Sequence, residues 1–136
     1  MSKIAVVFWS GTGNTEQMAN LVAEGAKGKG AEVELLTSAE FTKDMIPNYT
    51  GFAFGCPSMG AEVLEETEFQ PMWDDVGGAL GGKKIVLFGS YGWGDGEWMR
   101  NWEEDTPTGV LDTFICAGTP DADAEASCKA LGESLV

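Results

Sequence analysis

An unbroken apolar run, Ile4-Ala5-Val6-Val7-Phe8-Trp9, feeds directly into a Gly/Ser/Thr cluster from Ser10 to Thr15. No other feature limits the possible folds as tightly. A run of strand length without polar alternation fits a strand buried on both faces, as in parallel sheets covered by helices. After the cluster the period changes. Ala19, Val22, Ala23 and Ala26 lie at i, i+3, i+4 and i+7, and Gly28 and Gly30 end the pattern. The chain opens as strand, glycine-rich turn, helix.

The alternation continues. Glu32 to Thr37 reads as a second strand with Val33 and Leu35 on one face, and Gly51 to Cys56 as a third, stopped by Pro57. A helix starts near Pro71, where proline suits a first turn. Lys84 to Gly89 is a fourth strand, Glu97 to Glu104 a helix, and Val110 to Ala117 a fifth strand. Ala124, Cys128, Leu131 and Leu135 mark a closing amphipathic helix. Strands alternating with helices imply parallel pairing through right-handed crossovers. Five of each in 136 residues gives an α/β three-layer sandwich, expected as a single domain over residues 1–136. In such sheets ligands bind beyond the carboxyl ends of the strands. The loops Ser10–Thr15, Ser58–Glu62 and Ser90–Gly94 all follow strand ends, so they should meet at one edge.

Charge narrows the partners. Eight Lys+Arg against 22 Asp+Glu give a net charge of −14. A phosphate-backbone binder needs basic patches, so no nucleic acid is expected. Anionic membranes would repel the chain too, and no apolar run reaches the roughly 18 residues of a membrane span. The chain has no His, which removes imidazole acid–base chemistry, His-based triads and His metal ligands. Cys56, Cys116 and Cys128 are odd in number and form no C-x-x-C, so they read as core residues in a reducing cytoplasm, without disulfide or metal site. The N-terminus shows no charged-then-apolar leader, which agrees with that location.

Each loop supports two readings. Ser10-Gly11-Thr12-Gly13-Asn14-Thr15 offers hydroxyls and inward-turning N–H groups at a helix N-terminus, a phosphate cradle with no Lys or Arg. Equally, it is a turn whose helix is capped by Asn14 or Thr15. It is neither a Walker loop nor a dinucleotide fingerprint, since Glu16 replaces the third glycine. Ser90-Tyr91-Gly92-Trp93-Gly94 sets two aromatics among glycines, either to cover something flat or to fold back on the core. Trp9, Trp73, Trp98 and Trp102 read as packing residues. In Ser58-Met59-Gly60-Ala61-Glu62, Met59 can cover a ring face and Glu62 can accept from a ring N–H; the alternative is a capped loop before a solvated acidic helix. Glu62, Glu65, Glu66, Glu68, Asp74 and Asp75 form an acidic run that can also set the local field.

Together the three loops, with Trp9 before the first and Leu87 to Gly89 before the last, resemble the flavodoxins, most closely the short-chain kind from anaerobic bacteria. The resemblance implies a five-stranded parallel sheet of order 2-1-3-4-5. It implies a noncovalent flavin mononucleotide (FMN) and a low-potential one-electron carrier that moves between semiquinone and hydroquinone, without a substrate-turnover site. On that basis Ser10, Gly11, Thr12, Gly13, Asn14 and Thr15, helped by Ser90, hold the phosphate. Trp93 stacks on one ring face and Met59 lies on the other. Glu62 accepts from the flavin N3–H. Ser58, Tyr91, Gly92 and Gly94 complete the surround, and the Gly60–Ala61 peptide turns toward N5 on reduction. If that turn needs φ > 0, Ala61 costs about 1–2 kcal/mol more than glycine and weakens semiquinone stabilisation. A carboxylate about 10 Å away repels an added electron by about 0.4 kcal/mol in water and about 1.7 at an effective dielectric of about 20. That is roughly 20 to 70 mV each, so neutralising Glu65, Glu66 and Asp95 is expected to raise the second potential.

The implied partners are redox proteins with basic faces, namely ferredoxin-like reductases, pyruvate oxidoreductases or nitrogenase components, meeting a monomer transiently. Two other readings share the architecture. A quinone or nitro reductase would need substrate-covering insertions, for which the chain has little room. A receiver domain would need acids at the ends of the first and third strands, where this chain has Ser10, Gly11, Cys56 and Pro57.

Overall fold

The computed structural model describes residues 2–11, 13–59, 63–92 and 94–136. Five strands, β1 (Lys3–Phe8), β2 (Glu32–Thr37), β3 (Gly51–Gly55), β4 (Lys84–Tyr91) and β5 (Asp112–Ala117), form one sheet. Every pairing is parallel and the order is β2-β1-β3-β4-β5. Four α-helices connect or follow them: α1 (Asn14–Gly28), α2 (Phe69–Val76), α3 (Glu97–Glu104) and α4 (Ala122–Glu133).

Alternation along each strand builds two cores. Ile4, Val6, Phe8, Ala53, Val86 and Phe88 point toward α1 and α4, joined by Met18, Val22, Cys128 and Leu131. Ala5, Val7, Phe52, Phe54, Ile85 and Leu87 point the other way, toward Phe69, Trp73, Trp98 and Trp102 on α2 and α3. Layers of helix, sheet and helix result. The α1–α4 contact depends on missing side chains. A Cβ at Gly25 would overlap the Lys129 carbonyl, and one at Gly132 would overlap the Val22 carbonyl. All three cysteines are buried, and burial pushes the Cys56 and Cys128 thiols up to about 12, so they are inert packing groups.

Three expectations need correction. The connection from β2 to β3 carries no α-helix but a 3-10 turn over Lys43–Asn48 with Pro47 inside it, so the described residues hold four α-helices rather than five. β4 extends two residues beyond Gly89 because Ser90 and Tyr91 still pair with Cys116 and Ala117. β5 begins at Asp112, not Val110; Leu111 instead donates its N–H to Ile85 O at 2.8 Å.

Candidate functional site: three loops at the carboxyl edge

Because all strands are parallel, the segments leaving β1, β3 and β4 emerge at one edge. They enclose a cleft of about 250 Å³ lined by Trp9, Gly11, Asn14, Pro57, Ser58, Met59, Ser90, Tyr91, Gly92 and Gly118. A more polar hollow of about 490 Å³ adjoins it, sharing Trp9 and Gly11 and lined further by Ser10, Gly13, Glu16, Thr37 and Glu68.

The first loop is arranged to donate. Gly13 is the N-cap of α1 with φ 98°, a conformation other residues avoid. Asn14 and Thr15 are the first two helical residues and do not cap the helix. That role falls to the Ser10 hydroxyl, which accepts from the N–H of Gly13 (3.0 Å) and of Glu16 (3.3 Å). Among the described residues nothing accepts from the N–H groups of Asn14 and Thr15. The Thr15 and Ser90 hydroxyl oxygens lie 2.7 Å apart, both buried, and join this loop to the end of β4. Asn14 Oδ1 accepts from the Thr119 hydroxyl at 3.1 Å. The donors left over are N–H groups and hydroxyls at the positive end of a 15-residue helix, and no Lys or Arg lies in the loop. That set fits a phosphate group held by dipoles.

The second loop closes on itself. Cys56 continues the β3 ladder by donating to Phe88 O (3.1 Å), and its own carbonyl accepts from Trp98 Nε1 (3.2 Å). Ser58 N–H donates to Ser90 O (3.0 Å). Met59 and Val63 exchange both backbone bonds, at 2.9 and 3.0 Å. Glu65 then returns to the start, its N–H donating to Cys56 Sγ at 3.4 Å.

Glu65 is where the acidic-run reading fails. Glu66, Glu68, Asp74 and Asp75 are solvent-exposed, but Glu65 is 5% exposed. Its carboxylate accepts from the N–H of Thr67 (2.9 Å), Glu68 (2.7 Å) and Phe69 (2.9 Å), and from the Thr67 hydroxyl. Its carbonyl takes the next N–H, that of Gln70, at 2.8 Å. Pro71 has none to give, and Met72 donates to Glu68 O. One residue therefore satisfies the unpaired donors at the start of α2. Burial by itself raises the carboxyl's pKa; the hydrogen bonds from Thr67, Phe69 and Glu68 outweigh that and bring it to about 2.

In the third loop Tyr91 folds back on the core and also reaches the cleft. The half-buried side chain lines the cleft, and its ring leans on Trp98 with centroids 5.6 Å apart. Gly92 lines the cleft, whereas Gly94 is exposed with φ 90° and lines neither hollow. Trp73, Trp98 and Trp102 are buried as expected, but Trp9 is only half-buried and lines both hollows. Pro57, Gly118 and Thr119 also belong to this edge; Gly118 extends the β4 pairing by donating to Tyr91 O (3.0 Å). Thr12, Gly60, Ala61, Glu62 and Trp93 lie outside the described residues.

A doubly wound sheet whose carboxyl edge sets a helix N-terminus without Lys or Arg in its loop beside an aromatic and thioether cleft is the architecture of a nucleotide-cofactor protein. Comparison with known proteins gives the same class. A family model described as Flavodoxin matches residues 6–132. The chain is 44% identical to the flavodoxin of Megasphaera elsdenii over 134 residues, covering 96% of each. It is 41% identical to that of Clostridium beijerinckii over 133 residues, again covering 96% of each. The solution structure of two-electron reduced Megasphaera elsdenii flavodoxin superposes with a TM-score of 0.89 over 97% of both chains. The chain belongs to the flavodoxin family, FMN-binding proteins that carry electrons for redox partners rather than turn over a substrate.

Proposed function

We propose that residues 1–136 act as one domain and one monomer in the cytoplasm, as a low-potential electron carrier. The observation that carries this reading is the buried Thr15–Ser90 hydroxyl pair beside the N–H groups of Asn14 and Thr15, from which no described residue accepts. In it, Ser10, Gly11, Thr12, Gly13, Asn14 and Thr15 bind the FMN phosphate together with Ser90. Met59 and Trp93 flank the ring, and Glu62 accepts from its N–H. Ser58, Gly60, Ala61, Tyr91, Gly92 and Gly94 lie around its edge. The one-electron chemistry is that of the bound FMN; the protein orients the ring and sets the field around it.

That field opposes added electrons. The phosphate side has no cation, Glu16 and Glu68 line the polar hollow, and the net charge is −14. Glu66 and Asp95, exposed beside the second and third loops, suit brief docking of basic-faced reductases or oxidoreductases.

The test is a titration of the apoprotein with FMN and with riboflavin, followed by anaerobic dithionite reduction read by visible absorbance. One equivalent of FMN, bound at least tenfold tighter than riboflavin and reduced in two separate steps, is expected. Equal affinity for the two flavins would reject the phosphate cradle, and a single two-electron bleach would favour a reductase-type flavoenzyme.

A further inference from the structure

The segment 56–65 leaves β3 and comes back to it. Its two feet, Cys56 and Glu65, meet at the N–H···Sγ contact, and the Met59–Val63 bridge closes it halfway out. The outgoing foot is tied into the sheet by Cys56 and Ser58. The returning foot has no such strand pairing. Leu64 is buried there, but what holds the backbone is Glu65, which gathers four successive N–H groups from Thr67 to Gln70. Loosening that residue frees the start of α2 and the return arm together, and the bridge registers one arm against the other.

We propose that Glu65 is the positioning residue of this loop: its buried carboxylate fixes the return arm against Cys56 and thereby sets where Met59 sits at the cleft. It does not itself reach the cleft, whose lining includes Met59 but not Glu65. The inference rests on the reading that this loop faces the flavin.

The test compares the parent with E65Q and with T67A, which keeps the charge and removes one donor to it. In the apoproteins, amide hydrogen exchange at Met59 and Val63 is expected to be about tenfold faster in E65Q and about threefold faster in T67A. Amides inside α1 are expected to keep their rates. In the FMN-loaded proteins the first reduction potential is expected to fall in E65Q, by about 59 mV for a tenfold loss of preference. Deleting a negative charge favours reduction, so charge alone cannot lower a potential. Unchanged exchange at Met59 and Val63 would overturn the proposal, as would a rise in potential without a fall in the first step. If E65Q does not fold, T67A decides by the same two readouts. A parent protein that takes up no FMN would defeat the flavin reading, while the exchange data would still decide whether Glu65 holds the loop.

Discussion

The two faces of the sheet are packed by opposite means. On the α1–α4 face the contact is made by small residues: Ala19, Ala23, Ala26, Gly25, Ala124, Cys128 and Gly132 bring backbone against backbone. On the α2–α3 face the space is filled by rings. Phe52 and Phe54 stack at 5.7 Å, Phe54 meets Trp73 edge-on at 5.1 Å, and Trp73 meets Trp102 edge-on at 5.6 Å. The helices differ to match. α1 has 15 residues, while α2 and α3 have eight each, too short to be stable without packing or caps. The N-terminus of the long helix opens onto the polar hollow through Gly13 and Glu16. The short ones follow the second and third loops, and their placement depends on large side chains and, for α2, on the Glu65 cap. β1, β3 and β4 each serve both faces because successive residues point to opposite sides.

Each face should therefore fail in its own way. The largest effect is expected from F54A, which removes a fully buried ring at the centre of the aromatic face. A loss of about 4 kcal/mol in urea-unfolding stability is expected, from lost burial plus the cavity left behind. On the other face the damage comes from adding atoms. G25A should cost about 3 kcal/mol, because the methyl group meets the Lys129 carbonyl and the helices must separate. G28A, at a helical position with open space around it, should stabilise by about 0.5 kcal/mol. Opposite signs from two Gly→Ala changes three residues apart would establish that helix contact, not helix propensity, governs α1.

Acid should act on the aromatic face through Glu65. Its carboxyl is held near 2 in the folded chain, below the ordinary Glu value of about 4.3. The unfolded chain therefore binds the proton more readily between those values. The stabilisation is complete above about pH 5 and is lost as pH falls toward 2. The melting-temperature gap between the parent and E65Q should be constant from pH 7 to pH 5 and should narrow below pH 4. The smallest effect is expected at the latch between β5 and α1. T119V removes the donor to Asn14 Oδ1, an exposed bond of about 0.5 kcal/mol, and should weaken FMN about twofold while leaving riboflavin binding unchanged.

How far the sequence could be read followed the range of the forces involved. Ile4 to Phe8, Gly51 to Gly55 and Glu97 to Glu104 were legible because burial on both faces, or a 3.6-residue period, is written locally. So was the meeting of Asn14, Ser58, Met59, Ser90 and Tyr91, since parallel topology dictates it. What escaped depended on partners distant in the chain or on one side chain's choice among near neighbours. Ser10 caps α1 because Gly13 turns the backbone toward it, although Asn14 and Thr15 are as good cap formers by type. Glu65 looked like one more solvated acid; only the approach of Cys56 and the turn at Thr67 bury it. Trp9 was indistinguishable from a core tryptophan until its position beyond the last β1 residue put it at the cleft. Thr119 meets Asn14 across 105 residues, and no local pattern announces that.

The cradle without a cation has a kinetic consequence. An FMN dianion must approach a chain of net charge −14, and no lysine or arginine in the loop draws it in. At low ionic strength the long-range field slows its arrival. In the proposed cradle the hydrogen bonds that would retain it act only at contact and are far less screened. Salt therefore speeds capture more than it loosens the hold. Loading of the apoprotein with FMN at the proposed cradle is therefore expected to speed up as salt is added.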